Sequence, residues 1–115
     1  MRKILVATIL TVATLRAQDS SGNAEAGKRL YMKNGCYQCH GTVGQGTIAG
    51  VRIGPPPLSA EGVIRYVRRP AGQMPAFTEK VMSDREITDV YAFLKTIPPP
   101  KPSKDVPLLN DLRGK

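Results

Sequence analysis

The sequence has no tryptophan, and its aromatic side chains are limited to Phe77, Phe93 and four tyrosines in 115 residues. A domain of this size lies near the lower end of what supports a self-sufficient hydrophobic core. With so few aromatics that core is poor, and a large apolar group supplied from outside the chain would add much to it. Long apolar runs are missing too. The longest, Ile4 to Leu15, is twelve residues, against the ~20 needed to cross a bilayer core, so no stable membrane span is expected. The sequence shows no strand pattern of useful length, no internal repeat, and no basic-aromatic pattern of a nucleic-acid surface. A sheet-based fold and a nucleic-acid partner are therefore not expected. There is one histidine, His40, and there are two cysteines, Cys36 and Cys39.

Arg2 and Lys3 precede the Ile4–Leu15 run and Ala17 follows it, the pattern of an export signal removed on maturation. Residues 1–17 are read as a signal peptide and the protein as periplasmic. Arg16 and the bulky Leu15 stand where small residues are usual, and the rival reading is an uncleaved membrane anchor. Because the first cysteine is Cys36, none stands at the cleavage point to take a lipid. Removing 1–17 leaves 98 residues with 14 basic and 9 acidic side chains, a net charge of +5 in place of +8. The densest basic clusters are Lys28-Arg29 and the group Arg65, Arg68 and Arg69. Such an excess steers acidic protein partners.

After the polar lead-in from Gln18 to Asn23, residues 24–33 are rich in helix formers and stop at Asn34-Gly35. Residues 41–57 are glycine-rich and close on three prolines, which reads as a long loop. Ser59 is placed to cap a short helix reaching Arg69, with Val63, Ile64, Tyr66 and Val67 on it and Pro70 after it. Residues 70–82 form a second irregular stretch containing Met74-Pro75. The last helix has the clearest start: Ser83 and Glu86 make a capping box, with Asp84 in the first turn. Ile87, Val90, Tyr91 and Leu94 follow at helical spacing, with Phe93 beside them. Pro98 to Pro100 end that helix and begin an extended tail of polyproline character, residues 98–115 being a proline-rich C-terminal tail. The expected fold is all-α, about three helices joined by long loops.

Cys36-Tyr37-Gln38-Cys39-His40 is a C-x-x-C-H motif, the attachment signature of c-type haem. Two intervening residues let the sulfurs reach the two vinyl positions along one porphyrin edge, and the adjacent histidine turns its imidazole to the iron. Three other readings explain less. A thioredoxin-like pair follows a strand in a βαβ unit, whereas this one follows a helix. A structural zinc site takes four nitrogen or sulfur ligands, more than Cys36, Cys39 and His40 provide. A plain disulfide leaves His40 without a role. The expectation is one covalently bound haem c per chain with His40 as proximal ligand. Its two propionates would lower the net charge to about +3. Since His40 is the only histidine, the sixth ligand has to be another residue type.

Methionine sulfur is the usual distal partner that raises haem potential. Met32 lies only four residues before Cys36 on the first helix, with poor reach to the opposite haem face. Met82 precedes Ser83 and suits packing against Ile87 as a hydrophobic staple. Met74 lies in irregular chain 34 residues after His40, with Pro75 stiffening the backbone behind it. Core filling is the alternative for any methionine, but Met74 is the favoured ligand.

Taken together, residues 24–97 resemble the class I cytochrome c family. Gly27 and Tyr31 match the glycine and aromatic of its first helix, and Cys36, Cys39 and His40 match its haem motif. Gly54-Pro-Pro-Pro-Leu58 looks like its glycine-proline-x-leucine loop, Met74-Pro75 like its ligand loop, and Asp89 to Lys95 like its last helix. The resemblance implies a small cytochrome c fold wrapped around one haem, with residues 18–97 as the domain. It implies a proline carbonyl that accepts the proton on the far nitrogen of His40, fixing the ring and raising its donor strength. With three consecutive prolines, Pro55 and Pro56 are both candidates, and loop stiffening is compatible with either. It also implies that Gly27 lets the first helix cross close to Val90 and Phe93. Arg52 is a candidate partner for a propionate, against the plainer reading of an arginine facing water.

These readings imply single-electron transfer rather than catalysis. With His40 and Met74 on the iron, no position is open to oxygen or substrate. Methionine ligation places the potential in the positive part of the ~0.8 V that axial ligands span. The implied partners are redox proteins (a dehydrogenase, a reductase or a terminal oxidase) with an acidic docking surface. Two alternatives remain. One is a haem enzyme or gas sensor in which Met74 is off the iron or easily displaced. The other is a fixed haem subunit of a periplasmic dehydrogenase, docked through the proline-rich tail at 98–107.

Overall fold

A computed structural model describes residues 21–113; the signal segment expected at 1–17 lies outside the described residues. Helix α1 (Ala24–Lys33) starts where the Asn23 backbone turns extended and its side chain accepts from the Ala26 N–H at 2.8 Å. That bond satisfies one of the unpaired amides of a first helical turn. The helix closes at Asn34, and Gly35 follows at φ +74°, a left-handed conformation that glycine adopts without steric cost. The reversal at Gly35 starts α2 (Cys36–His40), a single turn of helix over the haem motif for which the sequence carried no separate signal.

Helix α3 (Ala60–Arg68) is capped by Ser59, whose Oγ accepts from the Gly62 N–H at 3.2 Å. Helix α4 (Asp84–Lys95) has its capping box: Ser83 Oγ accepts from the Glu86 N–H at 3.3 Å, and the Glu86 carboxylate accepts from the Ser83 N–H at 2.8 Å. The Ser83 backbone amide, and its hydroxyl after it, hold the Glu86 carboxyl below its ordinary range. The described residues contain no strand, so the chain is all-α. None of their helices is long and apolar enough to cross a membrane.

The extended tail is a correction. Residues 98–102 are non-helical, but Ser103–Asp105 forms a 3-10 turn and Pro107–Arg113 forms a short helix, α5. Pro107 sits at the first position of α5, where a proline's missing N–H costs nothing and its fixed φ suits the helix. The later proline therefore starts a helix instead of prolonging the extended run.

Helices α1 and α4 cross at Gly27. A Cβ there would lie 1.8 Å from the Asp89 carbonyl oxygen and 2.8 Å from the Val90 nitrogen. The crossing thus lands on the Asp89–Val90 peptide itself, and any side chain would push the helices apart. The buried Asp89 carboxylate accepts from the Asn23 N–H at 2.7 Å and pairs with Arg85 at 3.5 Å. One turn along α1, the Tyr31 ring lies 5.5 Å from the Phe93 ring at a 58° tilt. Tyr31, Met82, Ile87, Val90, Phe93 and Leu94 make up the core. Helix α3 packs on α4 rather than on α1 or α2, and its Val63, Ile64 and Val67 are only half-buried.

Two predictions follow the packing. Met82 and Ile87 occupy the staple positions flanking the cap of α4, and both are buried in the core. Met82→Ala should cost about 2–5 kcal/mol, read as a lower midpoint in thermal or urea unfolding; an unchanged midpoint would remove the staple role. Ser83→Ala should cost about 1 kcal/mol at neutral pH. Because the folded-state Glu86 carboxyl titrates below its ordinary 4.5, its share of stability is present above that value and is lost as pH falls through the folded one. Unfolding measured from neutral to acid pH should show the gap between wild type and variant narrowing at the acid end. A constant gap would mean that the Ser83 hydroxyl acts without Glu86.

Candidate functional site

The site is built on the junction of α1 and α2. Gly35 turns the chain so that Cys36 is half-buried against the core while Cys39 is exposed. Residues three apart on a helix share a face, so α2 presents both thiols on one side. Burial pushes the Cys36 thiol up. Tyr31 braces the junction from below by donating its hydroxyl to the Gly41 carbonyl at 2.7 Å. Burial first, and then the neighbouring Cys36, push that phenol up to about 12, so it stays a protonated donor at neutral pH.

His40 ends α2, and its Nδ1 lies 2.7 Å from the Val51 carbonyl oxygen. A carbonyl can only accept, so Nδ1 carries the proton and Nε2 presents its lone pair. Here the reading of Pro55 or Pro56 as the acceptor is corrected: in this structure the acceptor is Val51. The reason is the path of the loop after His40. The Gly46 N–H donates to the His40 carbonyl at 2.8 Å, and the Thr47 hydroxyl donates to the Cys39 carbonyl. A Cβ at Gly50 would lie 2.8 Å from that same Cys39 oxygen, so the loop folds back under α2 at a distance only glycine permits. Val51 is thereby delivered to the imidazole. The chain then leaves toward Gly54, which lies against Ile97 and the Val43 carbonyl, and Pro55 and Pro56 come after it.

Arg52 follows Val51. One of its terminal nitrogens donates to the Pro98 carbonyl at 2.7 Å, joining the loop to the start of the tail. Its Nε is buried without a hydrogen-bond partner, the one such side-chain atom found among the described residues. A buried, unpaired cationic N–H is costly, and a carboxylate is the group that relieves it. Met74 is half-buried in the irregular segment between α3 and α4.

These residues fit a haem. The thiol pair on one helix face, the imidazole with its lone pair on Nε2, and the unpaired Arg52 Nε suit a porphyrin edge, an iron and a propionate respectively. The partly covered apolar side chains of Ile53, Val63, Ile64, Val67, Phe77 and Ile97 suit its apolar face. Sequence reasoning missed Val51, which acts through its backbone and leaves no signature in residue type. It also missed Thr47, whose hydroxyl both donates to Cys39 and accepts from the Ala49 N–H at 3.0 Å; the threonine two residues ahead of Ala49-Gly50 was the one available signal.

Residues 22–94 match the model of the family described as cytochrome c oxidase, cbb3-type, subunit III. No curated protein and no solved structure matches the chain. The matched span runs from just before α1 to the last turn of α4, and so takes in the C-x-x-C-H motif, Arg52, Met74 and the whole core. It covers more than half of the chain, which therefore belongs to this family of c-type cytochromes, a haem-based electron-transfer domain of the kind its resemblance to class I cytochrome c implied.

Proposed function

We propose that this protein is a periplasmic monohaem cytochrome that passes single electrons between redox proteins, with thioether bonds to Cys36 and Cys39 and with His40 and Met74 on the iron. The observation that carries the reading is the His40 Nδ1 bond to Val51 at 2.7 Å. It fixes the tautomer and the ring plane, leaves Nε2 as the ligand atom, and raises its donor strength. Haem bound there supplies one-electron exchange at its iron. Met74 offers an unbranched thioether from a segment that Pro75 restricts at the next residue. Arg52 Nε, buried and unpaired, would meet a propionate while a terminal nitrogen donates to the Pro98 carbonyl. Were His40 and Met74 both to hold the iron, no position would be open to substrate, which supports a carrier rather than an enzyme.

Export is supported by the pattern of Arg2, Lys3, the Ile4–Leu15 run and Ala17. The partner is a dehydrogenase, a reductase or a terminal oxidase presenting acidic groups to the exposed Lys28, Arg65 and Arg69. A second reading, a subunit fixed in an oxidase or dehydrogenase complex, is favoured by the family's description as an oxidase subunit. The exposed Leu108, Leu109 and Leu112 of α5 favour it as well. Recovery of the native protein in a larger complex, against a free monomer, separates the two.

Covalent attachment is tested on denaturing gels stained for haem peroxidase activity. The wild type should give a stained band, and the double variant Cys36→Ala with Cys39→Ala should lose it; a band surviving both changes would sink the assignment. Ligation by Met74 is tested by absorption. Met74→Ala should lose the weak sulfur–iron band at the red end of the oxidised spectrum, lower the potential and admit cyanide or carbon monoxide. Met82→Ala should keep the band. If neither variant changes it, the sixth ligand is not Met74, and a haem enzyme or gas sensor with an open position becomes the better reading.

A further inference from the structure

Arg68 lies in the last turn of α3, and its side chain is 18% exposed. Its guanidinium reaches two separate elements. One terminal nitrogen donates to the Phe77 carbonyl at 2.7 Å, and the other donates to the Asp84 carboxylate at 2.5 Å. Phe77 is held from its other side as well, since its N–H donates to the Val67 carbonyl at 3.1 Å. The residue three places after Met74 is therefore fastened to α3 at both its backbone donor and its acceptor. The same guanidinium ties that point to the first residue of α4. The side chains between Pro70 and Ala76 are small, polar or exposed apart from Met74 itself, so apolar burial gives this segment little to hold it. Directional bonds have to serve instead, and a rigid fork with two donors is suited to that task.

We propose that Arg68 is the positioning residue of the Met74 segment: by bridging the Phe77 carbonyl and the Asp84 carboxylate it determines how firmly the Met74 sulfur is kept on the haem iron. The inference rests on the reading of Met74 as sixth ligand. It assigns Arg68 an internal role, whereas its place in a basic cluster with Arg65 and Arg69 suggests a partner-facing charge. Lysine cannot replace it fully, because a single ammonium lacks the planar fork that serves two acceptors lying in different directions.

The test uses the oxidised holoprotein and reads the rate of cyanide binding under saturating cyanide, where release of the methionine limits the reaction. Arg68→Met keeps the apolar stem and removes both bonds. It should bind cyanide about tenfold faster or more, tenfold being ~1.4 kcal/mol of lost holding, and should weaken the sulfur–iron band. Arg68→Lys should fall between this variant and wild type, and it gives the same comparison if Arg68→Met fails to fold. Arg65→Met, one turn earlier and exposed, removes the same charge and should leave the rate unchanged. Met82→Ala lowers global stability from the core and should also leave it unchanged, so a local clamp is separated from general loosening. Amide exchange at Phe77 should quicken in Arg68→Met while that of Tyr31 does not. A wild-type cyanide rate in both Arg68 variants overturns the proposal, as does an acceleration that Met82→Ala reproduces. A wild type that itself lacks the band and binds cyanide as fast as Met74→Ala instead overturns the ligand reading, and the clamp falls with it.

Discussion

The close approach of α1 and α4 at Gly27 is the constraint from which the rest of the arrangement follows. Two helix backbones meet there with no side chain between them, the Asp89–Val90 peptide occupying the space a Cβ would need. Such a contact fixes both the distance and the rotation of the helices. That rotation carries Asp89 to the start of α1, where it accepts from Asn23, and brings Tyr31 onto Phe93 further along. Tyr31 then reaches Gly41, the residue directly after the haem motif. The position of Cys36, Cys39 and His40 is thus inherited from a glycine nine residues upstream of the first cysteine.

The core behind that crossing is small. Only six hydrophobic side chains are buried among the described residues, and α3 contributes none of them although Val63, Ile64 and Val67 share its inward side. An amphipathic helix packs because water is driven from its apolar stripe, and here protein covers that stripe only in part. The haem that we propose at Cys36 and Cys39 would cover part of the remainder.

How much was legible in the sequence depended on whether the information lay in side-chain type or in backbone path. Helix caps are written in residue type, so Asn34-Gly35, Ser59 and the Ser83–Glu86 box located α1, α3 and α4 to within a residue. The haem motif was equally legible, because its chemistry needs thiols and an imidazole and nothing else will serve. The acceptor for His40 was not. Any residue offers a carbonyl, and the loop's fold-back under α2 depends on positive φ at Gly41, Gly44 and Gly46, which a glycine count cannot order in space. Arg52 and Arg68 were visible as charges, but which carbonyl each would find depends on segments distant in the chain, Pro98 for one and Phe77 for the other. The tail was misjudged because proline has two meanings: it breaks a helix at Pro98 and starts one at Pro107.

The internal use of arginine changes what the basic charge can do. Arg29 pairs with Glu25, Arg85 with Asp89, Arg52 with Pro98, and Arg68 with Phe77 and Asp84. Long-range steering responds to net charge and to its distribution, and these pairings leave the positive total in place. Docking is different. Within a Debye length of ~8 Å a partner carboxylate competes for individual cations, and an arginine already bonded to two acceptors is a poor recruit. Arg65 and Arg69, on the exposed side of α3, and Lys28 on α1 are then the cations of the two clusters best able to meet an acidic surface. Arg65 lies one turn before Arg68 and Arg69 caps the helix after it, so the helix that holds Phe77 from within also carries charge that faces outward.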